Sequence, residues 1–240
     1  LHYRACPASK RLLSGTVLIP KSHRGTDMII LVASQKGGCG KSTTSVNICA
    51  ELARANKDVV LLDADKQGTS ARWASDRNAA EVSPVIHCVQ KFGNIRETLL
   101  DLDKRYEFVV VDTAGRDSKE MRTGITAADV LLVPFRPSQP DLDTLAHFVE
   151  VFEEALDLMP NPSIKACAVL TMAPSNPVVN EANEAKEYLA EYPQLKLLKT
   201  IIRDRKVYRD CMAEGKGVVE MDNGKAKGEI QMLVKELLSD

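Results

Sequence analysis

From position 28 onward, short apolar runs alternate along the chain with stretches of helical spacing. The runs predict strands at Ile29–Ala33, Asp58–Asp63, Val85–Val89, Phe108–Asp112, Val130–Phe135, Ile164–Leu170 and Leu195–Ile202. The helical stretches between them are Lys41–Asn56, Asp141–Leu158, Asn180–Glu191, Lys206–Glu214 and Lys225–Leu238. Most runs are apolar throughout, which is typical of parallel strands covered on both faces. The alternation predicts an α/β fold, doubly wound, with a mostly parallel sheet and helices on both faces.

The first 27 residues differ from the rest in charge and in pattern. Their basic residues are Arg4, Lys10, Arg11, Lys21 and Arg24, and their one acid is Asp27. They show no strand or helix periodicity and lack the long apolar stretch of a secretory signal. We expect residues 1–27 to be a non-native or flexible leader, the alternative being a basic arm that contacts DNA phosphates. No linker divides residues 28–240, which are expected to form a single domain.

Composition narrows the class of protein only slightly. Hydrophobic residues make up 44% of the chain and charged residues 27%, and no apolar run reaches the roughly 18 residues of a membrane span. The six cysteines include no CxxC pair, which favours reduced thiols in a cytoplasmic protein over disulfides or a zinc site. Because the formal net charge is only −1, any DNA binding requires a local basic patch.

A glycine-rich stretch, KGGCGKST from Lys36 to Thr43, follows the first strand and opens the first helix, as in a phosphate-binding loop. Glycines let backbone N–H groups turn onto phosphate oxygens, and the helix N-terminus directs its dipole at the same anion. Lys41 is expected to contact the β- and γ-phosphates of ATP, and Ser42 to bind Mg²⁺. The expected nucleotide contacts are Gly37, Gly38, Cys39, Gly40, Lys41, Ser42 and Thr43.

Three aspartates at strand ends are candidates for the metal and for catalysis. Asp63 and Asp65 end the second strand at spacing i, i+2, so both side chains point along one face toward the ligand edge of the sheet. Asp65 is expected to orient the attacking water, and Asp63 either to hold a Mg²⁺-bound water or to cap the following helix. Asp112 ends the apolar run FVVVD and is expected to bind the metal through water, while Gly115 brings its N–H to the γ-phosphate.

The pattern KGGxGK[ST]T resembles the signature of the deviant Walker A ATPases, the family of ParA, Soj, MinD and the nitrogenase iron protein. The resemblance implies that Lys36 crosses a dimer interface to the partner's phosphates, so that ATP closes a homodimer. It also makes Asp65 the catalytic aspartate, together with Lys36 and Lys41. The family motif DxDPQ is matched except at Lys66, which stands where proline is usual.

Two further stretches resemble ParA proteins. The segment from Pro134 to Asp141 is similar to the proline-containing loop of the small ParF-like members, although it also fits a plain strand-to-helix connection with Asp141 as N-cap. The C-terminal third resembles the region in which that family binds DNA nonspecifically. The resemblance assigns this role to Arg203, Arg205, Lys206 and Arg209, while charge alone favours a solvated helix face.

The resemblance thus implies a ParA-type (ParF- or Soj-like) plasmid or chromosome partition ATPase, which we expect in the cytoplasm on the nucleoid. A centromere-binding partner of the ParB type is expected to stimulate hydrolysis, and no membrane contact is expected. The alternatives are a related ATPase that positions another cargo, or a metabolic enzyme of the dethiobiotin synthetase type. The Thr171–Pro177 loop is the expected wall of the adenine site.

Overall fold

The computed structural model describes residues 28–175 and 181–239, so the predicted leader lies outside the described residues. The strands in these ranges are β1 (Met28–Val32), β2 (Val59–Asp63), β3 (His87–Gln90), β4 (Phe108–Asp112), β5 (Val130–Phe135), β6 (Lys165–Ala173) and β7 (Lys196–Arg203). The helices are α1 (Lys41–Arg54), α2 (Thr69–Ala79), α3 (Arg96–Leu102), α4 (Lys119–Ile125), α5 (Gln139–Leu158), α6 (Glu181–Leu189), α7 (Lys206–Ala213) and α8 (Gly224–Leu238).

The seven strands of the described residues form one parallel sheet in the order β3-β2-β4-β1-β5-β6-β7. This confirms the predicted α/β fold. The first strand lies near the middle, and the chain then winds outward on both sides of it. Strand order therefore reverses beside β1, and the loop that follows β1 lies at the crevice where such sheets bind ligands.

Successive side chains along each central strand enter opposite cores. In β1, Ile29 and Leu31 pack with α3, α4 and α5, whereas Ile30 and Val32 pack with α1, α2 and α8. Both faces are covered, which explains why the central strands are apolar throughout. The same register places Asp63, the last residue of β2, beside Asp112, the last residue of β4.

The helix boundaries require one correction to the sequence predictions. Asp141 is not the N-cap of α5, because the helix already begins at Gln139 and its N-cap is Ser138. Proline is accommodated at the start of a helix, where its missing N–H has no intrahelical partner to lose. Asp141 is instead a buried first-turn residue, whose carboxylate accepts a hydrogen bond from the Ser138 hydroxyl at 2.8 Å.

Candidate nucleotide-binding site

The loop between β1 and α1 has the backbone of an anion site. Gly38 and Gly40 adopt positive φ angles of 75° and 89°, a region that favours glycine. Gly40 is the N-cap of α1, and no side chain caps the helix. The N–H groups of the first turn are therefore available to an anion, and the dipole of the 14-residue helix favours negative charge there.

Lys41 and Gly115 lie directly against this loop. Lys41 is buried, and its ammonium donates a hydrogen bond to the Lys36 carbonyl at 2.7 Å. A Cβ on Gly115 would lie 2.8 Å from each of three atoms, the Gly37 nitrogen, the Lys36 oxygen and Lys41 Nζ. The segment after β4 can approach the phosphate loop this closely only because residue 115 has no side chain.

Asp112 has an unsatisfied carboxylate oxygen at the ligand edge of the sheet. Its Oδ2 accepts a hydrogen bond from the Ser70 hydroxyl at 2.6 Å, whereas its buried Oδ1 has no partner in the described part of the chain. Burial raises the pKa of Asp112 to about 7, against the opposing effect of the Ser70 and Ser42 hydroxyls. A buried carboxylate oxygen without a donor, close to a P-loop serine, fits a divalent cation.

Asp63 has both carboxylate oxygens engaged by backbone. Oδ1 accepts from the Asp65 N–H at 3.0 Å, and Oδ2 accepts from the Ala71 N–H in the first turn of α2 at 2.8 Å. Asp63 therefore holds the first turn of α2, although the N-cap of that helix is Gly68, and its expected part in binding the metal stays a prediction. Burial raises its pKa, while these two hydrogen bonds act in the opposite direction. The described residues contain no group of three or more His, Cys, Asp or Glu side chains that could hold a metal ion.

Asp65 lies in the turn between β2 and α2 and is half-buried. Its Oδ1 accepts a hydrogen bond from the Gln67 N–H at 3.0 Å. The turn fixes the carboxylate beside Asp63, at the same edge of the sheet as the phosphate loop.

Lys36 forms an ion pair within the chain. Its ammonium lies 3.0 Å from Asp141 Oδ2, and its side chain is 35% exposed while that of Asp141 is 5% exposed. The lysine predicted to reach across a dimer interface therefore lies on the surface, in an ion pair with the first turn of α5.

Three of the four residues assigned to DNA border a cleft beside the phosphate loop. The cleft has an empty volume of about 450 Å³ and is lined by Gly40, Thr43, Thr171, Met172, Arg203, Asp204, Arg205, Tyr208 and Arg209, among others. Thr171 and Met172 belong to the predicted adenine wall, whereas positions 176 and 177 of that segment lie outside the described residues.

Ion pairs and hydrogen bonds hold these basic side chains. Arg205 binds Glu229 at 2.7 Å, and the exposed Lys206 and Arg209 bind Asp210 at 2.7 Å and Asp204 at 2.8 Å. The Arg203 guanidinium donates to the Pro174 carbonyl at 2.5 Å.

Sequence reasoning missed Ser70 and the guanidinium of Arg136 as parts of the site, and it placed Thr171 in the adenine wall without its contact to the phosphate loop. The Ser70 hydroxyl binds Asp112, and the Thr171 hydroxyl donates to the Cys39 carbonyl at 2.7 Å. Arg136 donates to the Gly38 carbonyl. Each is far from its partner along the chain, so only the fold could reveal these contacts.

The geometry is that of a phosphate loop with a cation site at its side and a cleft beyond it. A family model described as the CobQ/CobB/MinD/ParA nucleotide binding domain matches residues 30–218, more than half of the chain. The chain belongs to this family. Membership of the ParA/MinD ATPases confirms the resemblance inferred from the KGGCGKST motif, and the expected ligands, ATP and Mg²⁺, agree with it.

Two relatives show how far the similarity extends along the chain. The maintenance of carboxysome distribution protein A of Halothiobacillus neapolitanus is 30% identical over 87% of this chain and 95% of its own length. Protein ParA of Rhizobium radiobacter is 35% identical over 54% of this chain and 59% of its own length.

Solved structures of low sequence identity share the fold. A complex of Cyanothece McdA with ATP has a TM-score of 0.73 at 15% identity, covering 88% of this chain and 96% of that chain. MinD of Pyrococcus horikoshii, complexed with Mg-ADP, has a TM-score of 0.66 at 16% identity, with the same coverage of 88% and 96%. Within the ranges that the structure describes, no helix is long and apolar enough to span a membrane.

Proposed function

We propose that this protein is a partition ATPase, which hydrolyses ATP with Mg²⁺ in a cycle of dimerisation, DNA binding and release. The observation that carries the proposal is the position of Lys36, the first residue of the phosphate loop. A lysine there is unnecessary for binding phosphate, since Lys41 already lies against the loop and is proposed for that role. Its exposed side chain on the rim of the loop is suited to a second protomer's nucleotide.

The residues of the site divide the chemistry among them. The loop N–H groups and Lys41 bind the phosphates, and Ser42 and Asp112 hold the cation. The cation neutralises charge that develops on the phosphate oxygens. Asp65 orients the attacking water, and Asp63 fixes the start of α2 beside it. The cleft beyond Gly40, with Thr171 and Met172 in its wall, is the proposed place of the nucleobase.

The DNA contact belongs to the exposed side of α7. Lys206 and Arg209 are both exposed, whereas Arg203 and Arg205 are held in the cleft wall by Pro174 and Glu229. Phosphate contacts of this kind are independent of base sequence and weaken with salt. A centromere-bound partner of the ParB type would then stimulate hydrolysis and release the dimer.

A second candidate is the positioning of a protein cargo by the same cycle. It is favoured by the relative from Halothiobacillus neapolitanus, named for carboxysome distribution, because the match spans nearly the whole of both chains. The two candidates share the ATPase and differ in the partner protein.

The test is binding of an arbitrary labelled DNA duplex to the purified protein without nucleotide, with ADP and with ATP, each with Mg²⁺. We expect binding with ATP alone, lost in Lys36→Ala and retained or prolonged in Asp65→Ala. Lys206→Ala alone, which leaves the lining of the cleft intact, should weaken DNA binding and keep nucleotide binding. The double variant Lys206→Ala/Arg209→Ala should lose DNA binding. Its matched control is Lys104→Ala/Arg105→Ala, which removes two exposed basic residues just before β4, at the opposite edge of the sheet.

Wild-type protein that hydrolyses ATP and ignores DNA in every nucleotide state would overturn the partition proposal. If DNA binding is observed, pull-down with purified candidate partners distinguishes a centromere-binding protein from a cargo adaptor. If the double variant binds DNA as well as its control does, the contact does not lie on α7.

A further inference from the structure

The carbonyl groups of the phosphate loop are held by three separate parts of the fold. Lys41 donates to the Lys36 carbonyl and Thr171 donates to the Cys39 carbonyl, each at 2.7 Å. The Arg136 guanidinium donates to the Gly38 carbonyl. Because a trans peptide is planar, a carbonyl fixed in one direction fixes the N–H of the next residue in the opposite direction.

Arg136 is placed for this contact by the connection between β5 and α5. Thr171 also donates to the carbonyl of the preceding residue, Phe135, at 3.1 Å. The Arg136 carbonyl accepts from the Ser138 N–H at 2.8 Å, and the Arg136 N–H donates to Asp141 Oδ1 at 3.4 Å. The backbone that carries the guanidinium is therefore anchored at three points, while the side chain itself lies on the surface.

We propose that Arg136 is a positioning residue for nucleotide phosphates. Its hydrogen bond to the Gly38 carbonyl turns the N–H of Cys39 toward the phosphates, so the loop is arranged before the nucleotide arrives. Loop N–H groups contact phosphates that ADP and ATP share, and they bind ground state and transition state alike. The role of Arg136 concerns nucleotide binding and does not depend on DNA binding. This proposal and the proposed partition function can therefore each fail without the other.

The test measures the affinity of Arg136→Ala for fluorescent ADP and for a slowly hydrolysed ATP analogue, together with KM and kcat for ATP. We expect both affinities to fall by about the same factor, roughly tenfold, as for the loss of a charged hydrogen bond. KM should rise by a similar factor while kcat changes little, since the lost binding is uniform. Arg136→Gln keeps a donor and should recover much of the affinity. Arg105→Ala, another exposed arginine, is the control and should change nothing.

Three results would overturn the proposal. A loss for the ATP analogue without a loss for ADP would indicate direct contact with the terminal phosphate. A rescue by Arg136→Lys with none by Arg136→Gln would indicate that the charge acts, not the hydrogen bond. Unchanged affinities and an unchanged KM would leave Arg136 without a role in binding. Thermal unfolding of each variant detects a folding defect. If Arg136→Ala is destabilised, the affinities and KM of Arg136→Gln are compared with those of the wild type instead.

Discussion

At the scale of single residues, Asp112 combines a structural cost with a functional use. One oxygen is bonded by Ser70 and the other has no donor in the described residues, although the side chain is fully buried. Such a group is costly to keep charged in the absence of a cation. Asp112 therefore lowers the stability of the protein when no cation is bound, and the same unpaired oxygen is what suits it to Mg²⁺.

Asp112→Asn is expected to stabilise the nucleotide-free protein above neutral pH. The folded pKa of about 7 exceeds the ordinary aspartate pKa of 3.8, so between these two pH values the folded state holds a proton that the unfolded chain lacks. The free energy of unfolding of the wild type should therefore fall as pH rises from about 4 to 7. The variant lacks this loss and should be more stable by a few kcal/mol, at most about 4, above pH 7. Urea unfolding at pH 5 and pH 8 measures the difference, and a variant less stable than wild type at pH 8 contradicts the prediction.

Gly115→Ala is expected to abolish tight nucleotide binding. A methyl group there would meet three atoms of the phosphate loop at 2.8 Å, and two of them belong to backbone that cannot move without distorting the loop. Equilibrium titration with fluorescent ADP measures the effect, for which we expect a loss of about tenfold or more. Gly228→Ala is the control, because its Cβ would meet nothing within 4 Å and α8 should gain slightly in stability. Undiminished affinity in the Gly115 variant would show that the loop adapts.

At the scale of elements, the strands and five of the helices in the described residues could be predicted, whereas α2, α3 and α4 could not. β4 and β5 have the predicted boundaries because every residue in them is buried and apolar or ends the strand. α2 could not be recognised, because its buried residues are Ser70, Trp73, Ala74 and Arg77, which form no apolar stripe. Ser70 was missed as a ligand-site residue for the same reason, since its contact with Asp112 depends on where α2 begins.

Arg77→Ala is expected to destabilise the fold strongly. The guanidinium is fully buried and donates to Glu220, to the Pro84 carbonyl and to the Gly215 carbonyl, so it joins α2 to the C-terminal segment. Removing it leaves two carbonyls without this donor and the Glu220 carboxylate with the Gly217 N–H but no arginine, at a cost of about 3–5 kcal/mol. Arg72→Ala on the exposed face of the same helix is the control and should cost under about 0.5 kcal/mol. Chemical denaturation compares the two, and equal midpoints would contradict the structural role.

At the scale of the whole molecule, the sequence predicted which residues lie around the phosphate loop but not which contacts hold them there. The order of motifs along parallel strands is enough to place Lys41, Asp63 and Asp112 at one edge of the sheet. The partner of Lys36 could not be inferred, because Asp141 was expected to cap α5. Its burial follows from the earlier start of that helix.

If ATP closes a dimer through Lys36, the ion pair with Asp141 must break or shift when the dimer forms. The pair then opposes dimerisation, and Asp141→Asn should lower the protein concentration needed for the ATP-bound dimer. Because Lys36 is a third exposed, we expect a modest effect of about three- to tenfold, corresponding to roughly 1 kcal/mol. Sedimentation with a slowly hydrolysed ATP analogue and Mg²⁺ measures the dimer.

The control for this experiment is Asp143→Asn, an exposed acidic residue in the same helix, which should leave dimerisation unchanged. Lys36→Ala should remain monomeric while still binding ADP, because Lys41 and the loop N–H groups are intact. A dimer that forms equally well in Asp141→Asn and wild type would mean that the ion pair persists in the assembled state. Lys36 would then reach the partner's nucleotide from its place beside Asp141, and the first turn of α5 would itself be part of the dimer interface.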